Sequence, residues 1–273
     1  MKPMKKIALL HSLCGVGKAS LTNMMPILAV MGFEACPIPT TVLSSHTGGF
    51  GVPAKQAVSP EYIRNCAEHY RDNNIEFDAI FVGYLGSADM VFAVRYFLEQ
   101  FPNAIKILDP IMGDNGKCYL NVNETYIQSL RELLPLVDVV LPNLTEASFL
   151  AGQPYCKDVT KKDLESICDY FHQHNVKHVI ITSASSDSKQ KGIVFSDGTK
   201  TNLLMLDAQQ KDFHGTGDVF DAVFIGSYLE KTDMQQAITR AHKFVSVCIE
   251  ESSKYKYSTR EGLLIESNLS LLV

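Results

Sequence analysis

The sequence predicts an α/β fold with a mainly parallel central sheet, and three observations predict it. Short apolar runs alternate with segments of helical periodicity, the pattern of strands covered on both faces. Polar residues recur just past the carboxyl ends of those runs, where open parallel sheets bind ligands. No long linker, low-complexity tract or internal repeat interrupts the 273 residues, so a single domain over 1–273 is the simplest organisation.

Strands are expected at Ile7–Leu10, Glu34–Pro37, Ala79–Val82, Ile105–Leu108, Val137–Leu141 and Val179–Thr182. Each is a brief, mostly apolar run, too short for a helix. Helices are expected near 17–31, 60–73, 88–101, 123–134, 145–151 and 160–174. The first contains Pro26, which lacks an N–H, so that helix is kinked or starts late; Gly32 reads as its stop. The pattern then changes. GIVFSDGTKTNLLML reads as two strands around Asp197-Gly198, a hairpin signal. Helices over 215–229 and 234–251 follow, then a weakly patterned tail.

Hydrophobic residues make up 46 % and charged residues 20 %, ordinary for a soluble globular protein. The net charge of −5 argues against a nucleic-acid or anionic-membrane surface as the main partner. No run approaches the ~20 apolar residues needed to span a bilayer. The start, MKPMKKIALLHS, has the charge of a signal peptide, but its apolar stretch is too short. The seven cysteines (14, 36, 66, 118, 156, 168 and 248) are odd in number and form no C-x-x-C. Reduced thiols in a cytoplasm fit that better than a disulfide frame or a zinc site.

The stretch LLHSLCGVGKASLT looks like a phosphate-binding loop but fails the pattern G-x-x-x-x-G-K-[ST] at both ends. Ser12 stands where the first glycine belongs, and Ala19 where the metal-binding hydroxyl belongs. Lys18 then reads as a solvated charge at a helix start.

The strand ends carry His11 and Ser12, the segment TTVLSSHTGGFG, Gly83-Tyr84, Asp109, Pro142-Asn143 with Glu146 beyond, and Thr182-Ser183. Each has a structural explanation alone: Asn143 and Thr145 as helix caps, Tyr84 as a core aromatic. Together on one sheet edge they point to a shared pocket. In DFHGTGDVF, Gly215-Thr216-Gly217 can turn several N–H groups toward one anion at a helix start. Asp218 in that first turn either takes a proton from an attacking alcohol or merely complements the helix dipole. Spacing does not separate the two. In DPIMGDNG, Asp109 and Asp114, with Glu146, could hold a magnesium ion through water; turn formation alone also explains Asp114-Asn115-Gly116.

The segments HSLCGVG, PTTVLSSHTGGF, GYLGSA, DPIMGDNGKCY, PNLTEA and FHGTGD, in this order over residues 11–218, resemble the pyridoxal/pyridoxamine kinase family of the ribokinase-like superfamily. The resemblance implies a three-layer α/β/α sandwich. It also implies ATP-dependent phosphorylation of the 5′-hydroxymethyl group of a B6 vitamer, with Mg2+ accompanying ATP, in a cytoplasmic homodimer. By position, Asp218 resembles the catalytic base, and Gly215, Thr216 and Gly217 the anion hole. Asn143 and Glu146 match an N-x-x-E element that orders magnesium and phosphates. Asp109 and Asp114 match the acidic turn, so the implied metal set is Asp109, Asp114 and Glu146. Thr182 and Ser183 lie where the family contacts ATP. Ser12 lies where it contacts the pyridine ring, with His46, Thr47 and Tyr84 completing that pocket and Ser44 to Ala57 as a lid.

Three positions depart from the pattern. Leu141 replaces a threonine found in several relatives, which argues against a monovalent-cation site. Some close relatives carry aspartate at the position of Ser12, and Asp221 adds an acid one turn after Asp218. Two alternatives remain: a hydroxymethylpyrimidine kinase of the same superfamily, which commonly has cysteine where Asp218 stands, and a catalytically silent vitamin-binding protein.

Overall fold

Ile7, Ala8, Leu9 and Leu10 are wholly buried, so both faces of the first strand are covered. At about 1.5–3 kcal/mol for each large side chain removed from water, this run anchors its part of the core. The computed structural model describes residues 4–120, 122–186, 190–207 and 211–273. These divide into two compact units, Met1–Val58 with Gln209–Val273, and Ser59–Ala208.

The first unit opens with β1 (Lys5–Val16), α1 (Leu21–Val30), β2 (Phe33–Ser45) and β3 (Lys55–Ala57). β1 and β2 pair in parallel, and β3 pairs antiparallel to Thr41–Leu43 of β2. β1 runs six residues past its expected end at Leu10, so His11 and Ser12 lie within a strand rather than beyond one. α1 starts at Leu21, late as Pro26 allowed, because the backbone before it is left-handed at Gly17, Lys18 and Ser20. Gly32, also left-handed at φ 85°, follows its end.

The second unit begins with α2 (Pro60–Asp72), β4 (Ala79–Val82), α3 (Ala88–Gln100) and β5 (Ile105–Leu108). Ser59 and Ser87 cap α2 and α3 through the N3 amides. A small hairpin of β6 (Gly113–Asp114) and β7 (Lys117–Cys118) turns through Asn115 and Gly116, both left-handed. The chain continues through α4 (Glu124–Arg131), β8 (Val139–Val140), α5 (Leu144–Leu150) and α6 (Lys161–Gln173). It closes with β9 (His178–Ser186), β10 (Gln190–Ser196) and β11 (Thr201–Asp207). β4, β5, β8 and β9 are parallel neighbours in that order; β10 and β11 add on antiparallel. The expected hairpin sits at Asp197-Gly198, where the Asp197 carboxylate accepts from the amides of Thr199 and Lys200. The chain then returns to the first unit with α7 (Thr216–Leu229) and α8 (Met234–Ser253), which pack together, with α1 also against α7. The tail adds two short 3₁₀ turns, Thr259–Glu261 and Leu269–Leu272. No helix among the described residues is long and apolar enough to cross a membrane.

α5 is short, and its start is held unusually well. Asn143 Oδ1 accepts from the Glu146 amide at 3.0 Å, while Glu146 Oε2 accepts from the Asn143 amide at 2.8 Å, a complete capping box. Asn143 Nδ2 also donates to the Gly113 carbonyl at 2.8 Å, tying the β6 strand to the helix. Loss of both roles in Asn143→Ala is expected to cost about 2 kcal/mol in urea unfolding. Asn143→Ser keeps a cap acceptor without the reach to Gly113, and about half that loss is expected. Equal losses in the two variants would show that the cap contributes nothing.

Candidate active site

In the first unit the turn Gly215-Thr216-Gly217 leads directly into Asp218, and Ser12 joins it through Ser20. α7 starts at Thr216 behind Gly215, which is left-handed at φ 78°, and no side chain caps the first turn. A Cβ on Gly215 would collide with the Lys18 carbonyl and the Asn23 amide, so only glycine fits. A Cβ on Gly217 would meet nothing within 4 Å, which leaves the surface over that turn open. The first-turn amides of α7 are thus without a side-chain cap, at the turn where the sequence reading expects an anion hole from Gly215, Thr216 and Gly217.

Asp218 is 8 % exposed, and both of its oxygens are held. The Ser20 amide donates to Oδ2 at 2.7 Å, and His11 Nε2 lies 2.9 Å from Oδ1. The left-handed turn over Gly17, Lys18 and Ser20 is what aims the Ser20 amide inward. Asn23 fastens that turn, donating through Nδ2 to the Lys18 carbonyl at 2.6 Å and the Gly215 carbonyl at 3.3 Å. Ser12 Oγ lies 2.7 Å from Ser20 Oγ, so Ser12 and Asp218 join one hydrogen-bonded group. Lys18 points elsewhere, to Glu266 at 2.7 Å. His11 was read from sequence only as one of the polar strand-end residues, with no role of its own, and Ser20 and Asn23 were not picked out at all. Their signal lay in the polar interruption of an apolar strand and in the turn that follows. Asp221, one turn further along α7, is buried.

The expected lid is zipped at its base and held at its tip. The Ser44 amide donates to the Ala54 carbonyl at 2.9 Å, and the Ala54 amide to Ser44 Oγ at 3.0 Å. At the tip, Arg260 donates to the Gly49 carbonyl at 3.1 Å and lays its guanidinium over the Phe50 ring at 4.8 Å. His46 is occupied within the protein: Nε2–H donates to the Arg260 carbonyl at 2.6 Å, and the Gly48 amide donates to Nδ1 at 3.0 Å. Its remaining contact surface is the ring, which lies 4.6 Å from that of His214. Burial and the neighbouring His46 hold His214 below the usual imidazole range. Thr47 is exposed.

In the second unit, the expected polar groups line the carboxyl ends of β4, β5, β8 and β9. Tyr84 is half-buried just past β4. Asp109 follows β5 and is buried, its amide donating to the Val82 carbonyl at 2.9 Å. Asn143 bridges to Thr182, whose amide donates to the Pro142 carbonyl at 2.9 Å. Ser183 is exposed and left-handed at φ 54°. Glu146, 3 % exposed, is pushed well above the usual carboxylate range by burial and then by the Asp109 charge. Its oxygens accept from the Met112 and Asn143 amides at 3.1 and 2.8 Å. The exposed Asp114 instead closes the hairpin turn, accepting from the Asn115 amide at 2.8 Å and from Asn115 Nδ2 at 2.9 Å. No group of three or more His, Cys, Asp or Glu side chains placed to hold a metal occurs among the described residues.

The chain as a whole is similar to known proteins. The family model of phosphomethylpyrimidine kinases matches residues 27–262. A pyridoxal kinase from Corynebacterium diphtheriae is 29 % identical over 247 residues, covering 87 % of this chain and 85 % of its own. A Bacteroides thetaiotaomicron protein, described provisionally as a phosphomethylpyrimidine kinase and crystallised with pyridoxal, is 34 % identical. It superposes with a TM-score of 0.92 over 98 % of this chain and 96 % of its own. Pyridoxal kinase from Lactobacillus plantarum superposes with a TM-score of 0.90 at 27 % identity, over 98 % and 96 % of the two chains. The α/β fold with its mostly parallel sheet is thus the ribokinase-like one. The chain is a kinase and belongs to the phosphomethylpyrimidine kinase family, among relatives that include the pyridoxal kinases.

Proposed function

We propose that this kinase transfers the terminal phosphoryl group of ATP to the 5′-hydroxymethyl group of a B6 vitamer: pyridoxal, pyridoxamine or pyridoxine. The observation that supports it best is Asp218, a buried carboxylate held by two donors beside an open, uncapped helix start. The pyridoxal-bound relative at 34 % identity supports the substrate class. Asp218 takes the proton of the alcohol as its oxygen attacks. The amides of Gly215, Thr216 and Gly217 receive the charge that builds on the transferring group. Ser12, with Thr47 and the ring of His46, holds the heteroaromatic ring, and the lid over 44–57 excludes water. Thr182 and Ser183 contact the nucleotide.

The donor set of the second unit suits magnesium bound with ATP. Asp109 and Glu146 are hard oxygen donors, few in number, and buried in mutual repulsion that a dication relieves. They would hold the ion, while Asn143 positions Glu146 and Asp114 shapes the turn beside them. When bound, the ion supplies charge neutralisation of the phosphates. Leu141 is buried and offers no side-chain oxygen, so a monovalent cation is left out of this reading. The resemblance also carries a homodimer and a cytoplasmic location into the proposal.

A second reading, a hydroxymethylpyrimidine kinase, draws on the matching family's name. ATP consumption measured side by side with the three B6 vitamers and hydroxymethylpyrimidine separates the two: fastest turnover on the pyrimidine would overturn the vitamer assignment. Vitamer binding with no phosphorylated product would indicate a silent binding protein instead.

Asp218→Asn should lower kcat by ~10²–10⁴-fold with little change in ATP affinity; a folded variant with normal turnover excludes Asp218 as the base. Asp109→Asn and Glu146→Gln should each raise the magnesium concentration for half-maximal rate by roughly 10-fold. Unchanged magnesium titrations would remove them from the metal set. Arg260→Ala should speed proteolytic cleavage within 46–52 and raise ATP hydrolysis in the absence of acceptor; a lid that stays protected sinks the latch assigned to Arg260.

A further inference from the structure

His11 is fully buried in the middle of an apolar strand, where an imidazole is costly unless both nitrogens are bonded. Both are. The Ser12 amide donates to Nδ1 at 2.8 Å, which leaves Nε2 carrying the hydrogen that faces Asp218 Oδ1 at 2.9 Å. The Ser12 amide is available because β1 and β2 lose register there: His11 pairs with Pro39 and Leu13 with Val42, and Ser12 has no partner in the ladder. The irregularity frees one amide, that amide selects the tautomer, and the tautomer directs a donor at the carboxylate.

We propose that His11 is a positioning residue for the reaction, fixing the Asp218 carboxylate in the orientation that receives the alcohol's proton. This rests on Asp218 serving as the base. With the Ser20 amide on the other oxygen, rotation of the carboxylate is blocked from both sides. A neutral imidazole is suited to this task. Lysine or arginine would grip the carboxylate as firmly, but its full positive charge would oppose protonation of the base. A neutral N–H orients it and leaves lone pairs on both oxygens for the substrate hydroxyl.

The test compares His11→Gln, whose amide N–H reaches about as far as Nε2, with His11→Phe and His11→Ala, which have no donor. The donor-less variants should lose ~10–10²-fold in kcat, with KM for ATP and vitamer within a few-fold of the parent. His11→Gln should recover most of kcat. Combined with Asp218→Asn, His11→Phe should cost nothing further, since it acts only through that carboxylate. Should the Phe and Ala variants not fold, His11→Asn, too short to reach Oδ1, takes their place as the slow member against His11→Gln. Parental kcat in a donor-less variant overturns the proposal, as does a folded Gln variant as slow as the others, or a full additional loss in the double variant. A normal rate in Asp218→Asn would instead refute the base itself, and an inert parent protein the vitamer-kinase reading.

Discussion

A buried carboxylate needs donors that hold it, and much of the first unit follows from that need at Asp218. One donor is a backbone amide, and an amide can be aimed only by bending the chain. The left-handed residues Gly17, Lys18 and Ser20 make that bend and delay the start of α1 to Leu21. Asn23 reaches back from the first turn of the helix to both the bend and Gly215, so one side chain sets the spacing between the two loops around Asp218. This also explains why LLHSLCGVGKASLT imitates a phosphate-binding loop. The glycine and the turn are present, but the amide they expose goes to a carboxylate of the protein rather than to a phosphate, and Lys18 goes to Glu266.

The second unit treats charge in the opposite way. Asp109 and Glu146 are brought together in a buried place, and Glu146 rises far above its ordinary range as a result. The structure tolerates this because backbone amides from Met112 and Asn143 bond its oxygens. The bond from the Asn143 amide is also half of the capping box of α5. Sequence reasoning set helix cap against phosphate-site residue as alternatives for Asn143, but geometry makes them compatible: the cap is what fixes the acid in place. Asp114 resolves differently. Its two oxygens are taken by Asn115, and the turn accounts for it.

Much of this was legible in the sequence, and the failures have physical causes. Ala79–Val82, wholly apolar and buried, and Ile105–Leu108, apolar but for Lys106, were placed to the residue, because such brief runs are too short for a helix. β1 and β2 were placed too short, since His11, Ser12, Pro37 and Pro39 break the apolar pattern. Pro37 and Pro39 are tolerated because they lie two apart, so their missing N–H groups share one edge, and β3 covers β2 only at Thr41–Leu43. His11 is tolerated because its polarity is fully bonded, which no local pattern announces. The β6–β7 hairpin is two residues a side and carries no periodicity to read. Asp218 could be singled out from Gly-Thr-Gly-Asp, but its donors lie about 200 positions away in the chain, at separations of 207 and 198 residues. Only folding brings them together.

On the proposed reading, the Ser12–Ser20 pair bears on which ring is accepted. Either hydroxyl can donate across the 2.7 Å between them, so the direction of that bond is free to reverse. When Ser20 donates, the Ser12 hydrogen is available to a ring nitrogen; when Ser12 donates, its remaining lone pair is available to a ring N–H. An aspartate at this position would accept only, and would place a second negative charge close to Asp218. Serine therefore gives up electrostatic selection of a protonated ring while sparing Asp218 a repelling neighbour. Pyridine and pyrimidine rings both carry acceptor nitrogens, so this contact alone favours neither. Discrimination between them has to come from the groups around the ring, where pyridoxal carries a phenolic oxygen and a carbonyl that the pyrimidine replaces with an amine and a methyl group.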